Sequence, residues 1–254
     1  MKTIVLAAGY ATRLYPLTLH VPKPLLKVGD RTILDRLLDD IDTIPGISEH
    51  IIVTNHKFAG VFRDWAASRH SGSAPVSVPV TVLDDGTETN ETRLGAVRDL
   101  ILALDTCRTD GDILVVAADN ILDFSLKGFV EAFHRYHTSM IMCHFEPDMS
   151  KLQRTGVVEV DEDMRVLQMQ EKPPAPVSHW AVPPFYIYRR EDLALVRHAV
   201  ENGCASDAPG HLARFLSERT LLHAWPMPGR RFDIGSLDSY EEAKREFGCG
   251  RPAS

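Results

Sequence analysis

Two cations near the N-terminus of the chain are spaced for phosphate chemistry. Arg13 follows the small residues Ala7-Ala8-Gly9, and Lys23 lies between two prolines ten residues later. Small residues let backbone N–H groups approach anionic oxygens, and fixed cations neutralise their charge. The spacing fits neither GxGxxG nor GxxxxGKS/T, which argues against a dinucleotide fingerprint and against a P-loop. The pattern predicts a phosphate-binding loop of another type.

The segment Leu6–Leu25, LAAGYATRLYPLTLHVPKPL, resembles the opening signature of the sugar-1-phosphate nucleotidylyltransferase family. The resemblance implies an enzyme that joins an NTP to a phosphorylated sugar or sugar-like acceptor, with Mg²⁺ as cofactor and pyrophosphate as the second product. Arg13 and Lys23 are then the catalytic cations, with Arg13 on the leaving pyrophosphate and Lys23 on the α-phosphate. Such transfer needs in-line positioning and charge neutralisation more than covalent help. The resemblance assigns nucleotide binding to Leu6, Ala7, Ala8, Gly9, Tyr10, Ala11, Thr12 and Arg13.

Two residues of this signature depart from the family pattern. Many relatives carry glycine where this chain has Ala11. A left-handed conformation would cost alanine about 1 kcal/mol, so we expect Ala11 to have an ordinary backbone. The pattern assigns no role to the side chain of Tyr10.

Two aspartates are the candidate metal ligands. Asp119 follows the apolar run Ile113–Ala118, and Asp233 lies in the segment RFDIGS. The resemblance implies that they hold Mg²⁺ together, and one or two carboxylates plus phosphate oxygens suit that ion. Taken singly, a helix N-cap for Asp119 and a turn position for Asp233 explain them equally well. Asn120 matches a variant found in thymidylyltransferase members of the family, which bears only slightly on the nucleotide base.

Residues in the second half resemble the acceptor side of the family site. Glu171-Lys172 precedes a proline, as in the family segment that binds sugar hydroxyls and the acceptor phosphate. Gly156 and Tyr186 complete the expected substrate-binding set. In isolation, Glu171 and Lys172 could equally form an exposed salt bridge worth under about 1 kcal/mol. We expect loops at 177–182 and 207–210 to contribute to acceptor selection.

The segment Thr87–Ala96, TETNETRLGA, occupies the place where the family recognises the base. Gly95 is retained, whereas Thr92-Arg93 replaces the usual proline element. We therefore assign Thr92, Arg93 and Gly95 to nucleotide binding. Arg93 could contact a base edge or a phosphate, or it could be an exposed residue at the start of a helix. The base itself stays open.

Apolar periodicity predicts the elements that position these residues. Strand and helix patterns alternate through the first half, and the second half is richer in strands. We therefore expect an α/β, Rossmann-like single domain with a mixed, mainly parallel central sheet flanked by helices, as in the family fold. In such sheets, ligands bind outside the carboxyl ends of strands. The predicted strands are 3–8, 50–54, 76–83, 113–118, 139–146, 156–160, 166–170, 184–188 and 221–226. The predicted helices are 32–42, 58–68, 92–104, 126–136, 191–202, 211–218 and 237–247.

Composition limits the alternatives. A net charge of −7 over 254 residues gives no indication of nucleic-acid or membrane binding. The apolar runs are too short to span a bilayer, and we expect a cytoplasmic protein without a secretory signal. The four cysteines are scattered and suit reduced thiols. Eleven histidines match no metal motif, and the reaction needs no general base of neutral pKa.

We expect residues 1–247 to form one nucleotidylyltransferase domain, with a frayed tail at 248–254. Two alternatives remain open: a cytidylyltransferase acting on a phosphorylated alcohol such as phosphocholine, and a non-catalytic nucleotide-sugar-binding regulator. Retention of both cations and both aspartates argues against the regulator. Homo-oligomers are common in the family, but no sequence feature decides this point.

Overall fold

The structure, a computed structural model, describes residues 1–70 and 78–248. The strands are β1 Lys2–Leu6, β2 Lys27–Val28, β3 Arg31–Thr32, β4 Glu49–Thr54, β5 Val80–Asp84, β6 Ile113–Ala117, β7 Asn120–Leu122, β8 Ser139–Phe145, β9 Gly156–Val160, β10 Val166–Glu171, β11 Trp180–Val182, β12 Phe185–Tyr188, β13 Leu222–Pro226 and β14 Arg231–Asp233. The α-helices are α1 Ile33–Asp42, α2 His56–His70, α3 Ala96–Thr106, α4 Lys127–Tyr136, α5 Met149–Leu152, α6 Leu193–Arg197, α7 Pro209–Ser217 and α8 Leu237–Phe247. Short 3₁₀ turns cover Thr12–Leu14, Lys23–Leu25 and Arg190–Asp192.

The chain divides into two compact units. The first unit consists of Met1–Ile4, Leu94–Val116 and Gly128–Pro228. The second unit consists of the described parts of Val5–Arg93, Ala117–Lys127 and Gly229–Ser254.

The first unit is built on a mixed sheet. Its strands are neighbours in the order β10-β9-β11-β8-β12-β6, and β13 pairs with β8. β13 runs parallel to β8, whereas β12 is antiparallel to both β6 and β8. All four residues of β12 are buried, and so are Ile113–Val116 of β6, as expected for strands covered on both faces.

The second unit contains the parallel pair β4 and β5, which α2 connects in the chain. α1 begins with a capping box in which Thr32 and Asp35 satisfy each other's backbone N–H groups. Its buried residues are the predicted apolar face: Ile33, Leu34, Leu37, Leu38 and Ile41. A separate apolar cluster packs the loop residue Leu14 with Ile121, Ile234 and Tyr240. This cluster brings the loop after β1 together with β7 and β14.

The predicted α/β class, with a mixed central sheet flanked by helices, is confirmed. Most of the predicted elements form within one or two residues of the expected bounds. The predicted strand 76–83 forms only from Val80, and its residues 76–77 lie outside the described part of the chain. Within residues 1–70 and 78–248, no helix is long and apolar enough to cross a membrane.

Further predicted elements also differ from the structure. α3 begins at Ala96, four residues later than predicted, because Gly95 adopts φ 93° just before it. α6 ends at Arg197, and the following residues form turns up to Gly203. The segment 177–182, predicted as a loop, contributes β11, which pairs with both β8 and β9.

Candidate functional site

The loop after β1 is fastened at its start to β4 and the residue that follows it. Ala7 N–H donates to the carbonyl of Val53 at 2.9 Å, and the side-chain amide of Asn55 donates to the carbonyl of Ala8 at 3.0 Å. At Gly9, a Cβ atom would meet no heavy atom within 4 Å, so open space adjoins the backbone there. Open space beside backbone N–H groups leaves room for an anion.

The expectation of an ordinary backbone at Ala11 is wrong. Ala11 has φ 48° and ψ 41°, the left-handed conformation that costs a non-glycine residue about 1–2 kcal/mol. Its carbonyl accepts hydrogen bonds from Leu14 N at 3.0 Å and from the hydroxyl of the fully buried Thr18 at 2.9 Å. These contacts hold the strained turn, so the chain adopts a left-handed conformation at position 11 without a glycine.

Lys23 and Asp119 form an ion pair. Lys23 begins the 3₁₀ turn after Pro22, its side chain is only 12% exposed, and its Nζ lies 2.8 Å from Oδ2 of Asp119. The other oxygen of Asp119 accepts from the Asn120 side chain at 2.7 Å. Both carboxylate oxygens of Asp119 are therefore oriented by neighbouring side chains.

Asn120 contacts this ion pair through Asp119. Its side chain is 1% exposed, and its Oδ1 accepts from Nη1 of Arg231 at 2.6 Å. These contacts give the Asn120 amide a role in orienting Asp119, and the link between Asn120 and the nucleotide base stays a prediction. Arg231 is not among the site residues expected from the sequence. Its position two residues before Asp233 is what could have indicated it.

Pairing of β14 with β7 brings Asp233 to the cluster. Asp233 lies opposite Asn120 in that antiparallel pair, and Ile234 N–H donates to the carbonyl of Asp119 at 3.1 Å. Desolvation and the negative charge of Asp119 raise the pKa of Asp233, against the opposing charges of Arg231, Lys23 and Arg13. The contribution of Asp119 to this rise indicates that the two carboxylates lie close enough to repel each other.

This donor set fits a hard divalent cation. No cluster of three or more His, Cys, Asp or Glu side chains that could hold a metal occurs in the described ranges 1–70 and 78–248. Magnesium, however, needs only one or two carboxylates when phosphate oxygens and water complete its shell. The repelling pair of Asp119 and Asp233 supplies that number of carboxylates.

Arg13 is exposed in the 3₁₀ turn Thr12–Leu14, and its charge is near enough to Asp233 to oppose the rise in that pKa. Arg13, Lys23, Asp119 and Asp233, four of the residues singled out from sequence, thus lie in one electrostatic cluster of the second unit. Thr92 and Arg93 lie in an exposed turn of the same unit. The turn is closed by Thr89 and Thr92, and Arg93 Nη1 donates to Asn90 Oδ1 at 3.3 Å.

In the first unit, Glu171 lies between two glycines. Its side chain is 6% exposed, and its Oε1 lies 3.9 Å from Nζ of Lys172. A Cβ at Gly156 would lie 3.2 Å from the Glu171 carboxylate, and a Cβ at Gly210 would overlap it. Burial raises the pKa of Glu171, as does Asp207, while Lys172 lowers it. This is a nearly buried carboxylate and not the exposed salt bridge considered as the alternative.

Two further expected residues also lie in the first unit. Gly95 packs against the Ser206 carbonyl so closely that a Cβ would clash with it, and Val97 N–H donates to the same carbonyl at 3.0 Å. Tyr186 is 2% exposed in β12 and stacks on Tyr188 with ring centroids 5.9 Å apart. Gly95 therefore shapes the loop that leads into α7, and Tyr186 forms part of the sheet core.

Among the described residues, Cys107, Cys143 and Cys204 form no disulfide. Burial raises the pKa of Cys143 to about 12 and that of Cys204 to about 11. Cys249 lies outside the described residues. Thiols with such pKa values are protonated at neutral pH and therefore poor nucleophiles.

Comparison with known proteins provides independent information. The profile of the family described as nucleotidyl transferase matches residues 2–248. Glucose-1-phosphate adenylyltransferase of Geobacillus stearothermophilus is 24% identical, over 96% of this chain and 65% of that protein. The chain thus spans less than two thirds of that relative.

Two other similarities cover more of the compared protein. Glucose-1-phosphate thymidylyltransferase of Neisseria meningitidis is 28% identical over 96% of this chain and 81% of that protein. A crystal structure of a putative glucose-1-phosphate thymidylyltransferase from Bacillus anthracis, in complex with a sucrose, superposes with a TM-score of 0.78 at 22% identity. It covers 100% of this chain and 98% of that chain, and this similarity establishes the fold.

Proposed function

The chain belongs to the nucleotidyl transferase family, and from this premise we propose that it transfers a nucleotidyl group from an NTP to a sugar-1-phosphate or sugar-like phosphate. The products are an NDP-sugar and pyrophosphate. The observation that carries the proposal is the cluster in which Lys23 contacts Asp119 beside Asp233. The relatives named above act on glucose 1-phosphate according to their names, which supports the same reaction class.

The reaction changes bonds at the α-phosphate and leaves negative charge on the departing pyrophosphate. An oxygen of the acceptor phosphate forms a bond to the α-phosphorus, and the bond between that phosphorus and the bridging oxygen to the β-phosphate breaks. Lys23 stabilises charge on the α-phosphate, and Arg13 holds the departing pyrophosphate. No proton transfer is required, because the acceptor phosphate is already an anionic nucleophile.

We propose Asp119 and Asp233 as the ligands of Mg²⁺. When bound, the ion would neutralise phosphate charge and orient the triphosphate. Asn120 and Arg231 act on this pair through hydrogen bonds and charge, so Asp119 keeps its orientation while Lys23 engages phosphate.

Acceptor binding is proposed for Glu171, Lys172 and Gly156 in the first unit. The buried carboxylate of Glu171 suits sugar hydroxyls, because hydroxyl donors compensate its desolvation. Lys172 is half exposed and can pair with the acceptor phosphate. Tyr186 stays in the proposed acceptor-binding set, and Thr92, Arg93 and Gly95 stay in the proposed nucleotide-binding set.

A screen of pyrophosphate release tests the proposal. The purified protein is incubated with Mg²⁺ and each of ATP, GTP, CTP, UTP and dTTP. The acceptors are a set of sugar-1-phosphates, including cyclitol and aminosugar phosphates, and phosphocholine. Acceptor-dependent release with at least one pair supports the proposal, and the preferred pair identifies base and acceptor. Release only with phosphocholine and CTP would support the cytidylyltransferase alternative, and nucleotide binding without release would support the regulator. Cytoplasmic location and homo-oligomerisation stay predictions.

A further inference from the structure

The side chain of Tyr10 has a specific partner that the phosphate chemistry does not explain. Tyr10 is 6% exposed, and its hydroxyl donates to the backbone carbonyl of Thr87 at 2.9 Å in a buried hydrogen bond. Burial raises the pKa of Tyr10, so the hydroxyl stays protonated and able to donate at neutral pH. Tyr10 belongs to the loop after β1, and Thr87 begins the segment assigned to the base. The bond therefore joins two parts of the second unit.

Thr87 is held in place from several directions. Its carbonyl also accepts from His56 N–H at 2.9 Å, at the start of α2. Its own N–H and hydroxyl both donate to Oδ1 of Asp85 at 2.7 Å. Thr87 is 6% exposed, whereas residues 88–93 are exposed. These hydrogen bonds fix the position of Thr87, which directly precedes the exposed residues 88–93.

Ala11, the residue that follows Tyr10 in the chain, has the strained left-handed conformation. A left-handed alanine persists only where its surroundings determine its conformation. The hydroxyl of Thr18 donates to the carbonyl of Ala11. The ring of Tyr10, the residue that directly precedes Ala11, is buried. The hydrogen bond of the Tyr10 hydroxyl therefore links the strained turn of the phosphate loop to Thr87, the first residue of the base-recognition segment.

We propose that Tyr10 is a positioning residue that couples the phosphate loop to the base-recognition segment, so that the triphosphate and the base are bound in a fixed relation. The inference rests on the proposed function, because it assumes that both parts bind one NTP. Tyr10 itself need not touch the nucleotide through its side chain. Removal of its hydroxyl loosens this relation and lowers both NTP affinity and base discrimination.

Tyr10→Phe is the sharpest variant, because it removes one oxygen and keeps the buried ring. The carbonyl of Thr87 retains its bond from His56 N–H, so no backbone acceptor loses its last partner. Tyr136→Phe is the matched control, since Tyr136 is 38% exposed and packs by stacking on His223, which phenylalanine preserves. Thermal midpoints of both variants verify folding.

The experiment measures kcat and KM for all five NTPs with the preferred acceptor, together with the Kd of each NTP without acceptor by calorimetry. We expect Tyr10→Phe to raise the KM and Kd of the preferred NTP by about threefold to tenfold, since one buried hydrogen bond is lost. We also expect the ratio of preferred to other NTPs to fall and kcat to change less than about twofold. Tyr136→Phe should match the wild type.

Unchanged Kd values and NTP preference in Tyr10→Phe would overturn the inference, and so would a loss confined to kcat. A fall in the thermal midpoint with unchanged NTP ratios would also overturn it, since it would indicate a purely structural role. Failure of the proposed function is distinguishable, because it would remove pyrophosphate release from the wild type as well. In that case the calorimetric Kd values alone still decide whether Tyr10 couples the two segments.

Discussion

Nζ of Lys23 lies 2.8 Å from Oδ2 of Asp119, although 96 residues separate them in the chain. The pair connects the cation that we expect to bind phosphate with one of the carboxylates that we expect to bind the metal ion. If a metal ion takes over the charge of Asp119, Lys23 becomes available to phosphate oxygens. The pair therefore holds both side chains in one place and one orientation.

The first prediction concerns the charges of this cluster. Lys23→Ala and Asp233→Asn should each lower kcat by at least about a hundredfold, because each removes charge stabilisation of the transition state. Lys27→Ala, in the exposed position of β2, is the matched control and should retain activity. Pyrophosphate release measures the effect, and circular dichroism verifies folding. Near-normal turnover of either variant would contradict its assigned role.

The second prediction concerns Asn120. Asn120→Ala removes the donor that orients Asp119 and the acceptor that receives Arg231. Loss of such an outer partner typically costs about 10–100-fold in metal affinity. The Mg²⁺ concentration for half-maximal activity should rise accordingly, and Mn²⁺ binding to the protein–NTP mixture should weaken in parallel. Asn202→Ala, at an exposed turn of the first unit, is the control. An unchanged Mg²⁺ requirement would show that Asp119 needs no such support.

The third prediction concerns Gly210. Gly210→Ala places a methyl group where the Glu171 carboxylate now lies, so the carboxylate must move. We expect the KM of the acceptor to rise by about tenfold or more while the KM of the NTP changes little. Gly111→Ala is the control, since a Cβ there meets nothing within 4 Å. An unaltered acceptor KM in a folded Gly210→Ala protein would argue against Glu171 as an acceptor ligand.

The fourth prediction concerns the pH dependence of stability. The pKa of Glu171 is raised in the folded protein above its ordinary value of 4.5, so the folded state binds this proton more tightly than the unfolded chain. Its contribution to the free energy of unfolding therefore falls as pH rises from about 4.5 through the folded-state pKa. Glu171→Gln should remove this loss, so its urea midpoint should gain on the wild type between pH 4 and pH 7 while acceptor binding weakens. A constant difference across that range would contradict the raised pKa.

The fifth prediction concerns the strain at Ala11. Ala11→Gly relieves a left-handed alanine but makes the unfolded chain more flexible, and the two effects are each about 1 kcal/mol. We expect an unfolding midpoint equal to or slightly above that of the wild type. Ala11→Val should lower stability by at least about 1 kcal/mol, because a β-branched residue tolerates positive φ poorly. A valine variant as stable as the wild type would show that the turn can relax.

Local patterns were enough for most of the elements, because buried faces impose their own period. The five apolar residues of α1 and the continuous apolar run of β6 are examples. The exceptions depended on distant partners: β11 exists because β8 and β9 both offer it hydrogen bonds, and β7 exists because β14 pairs with it. The conformation of Ala11 was misjudged for the same reason, since the buried hydroxyl of Thr18 that holds its carbonyl comes seven residues later.

The sequence by itself was enough to predict the family and the candidate site residues, because Arg13, Lys23, Asp119, Asp233 and Glu171 are recognisable from residue type and local pattern. Only the tertiary structure decided how these groups are held. The amide of Asn120 orients Asp119, Arg231 completes that contact, and Gly210 leaves space for the Glu171 carboxylate. Such contacts join residues that are distant in the chain and depend on distance and orientation, which residue spacing does not encode.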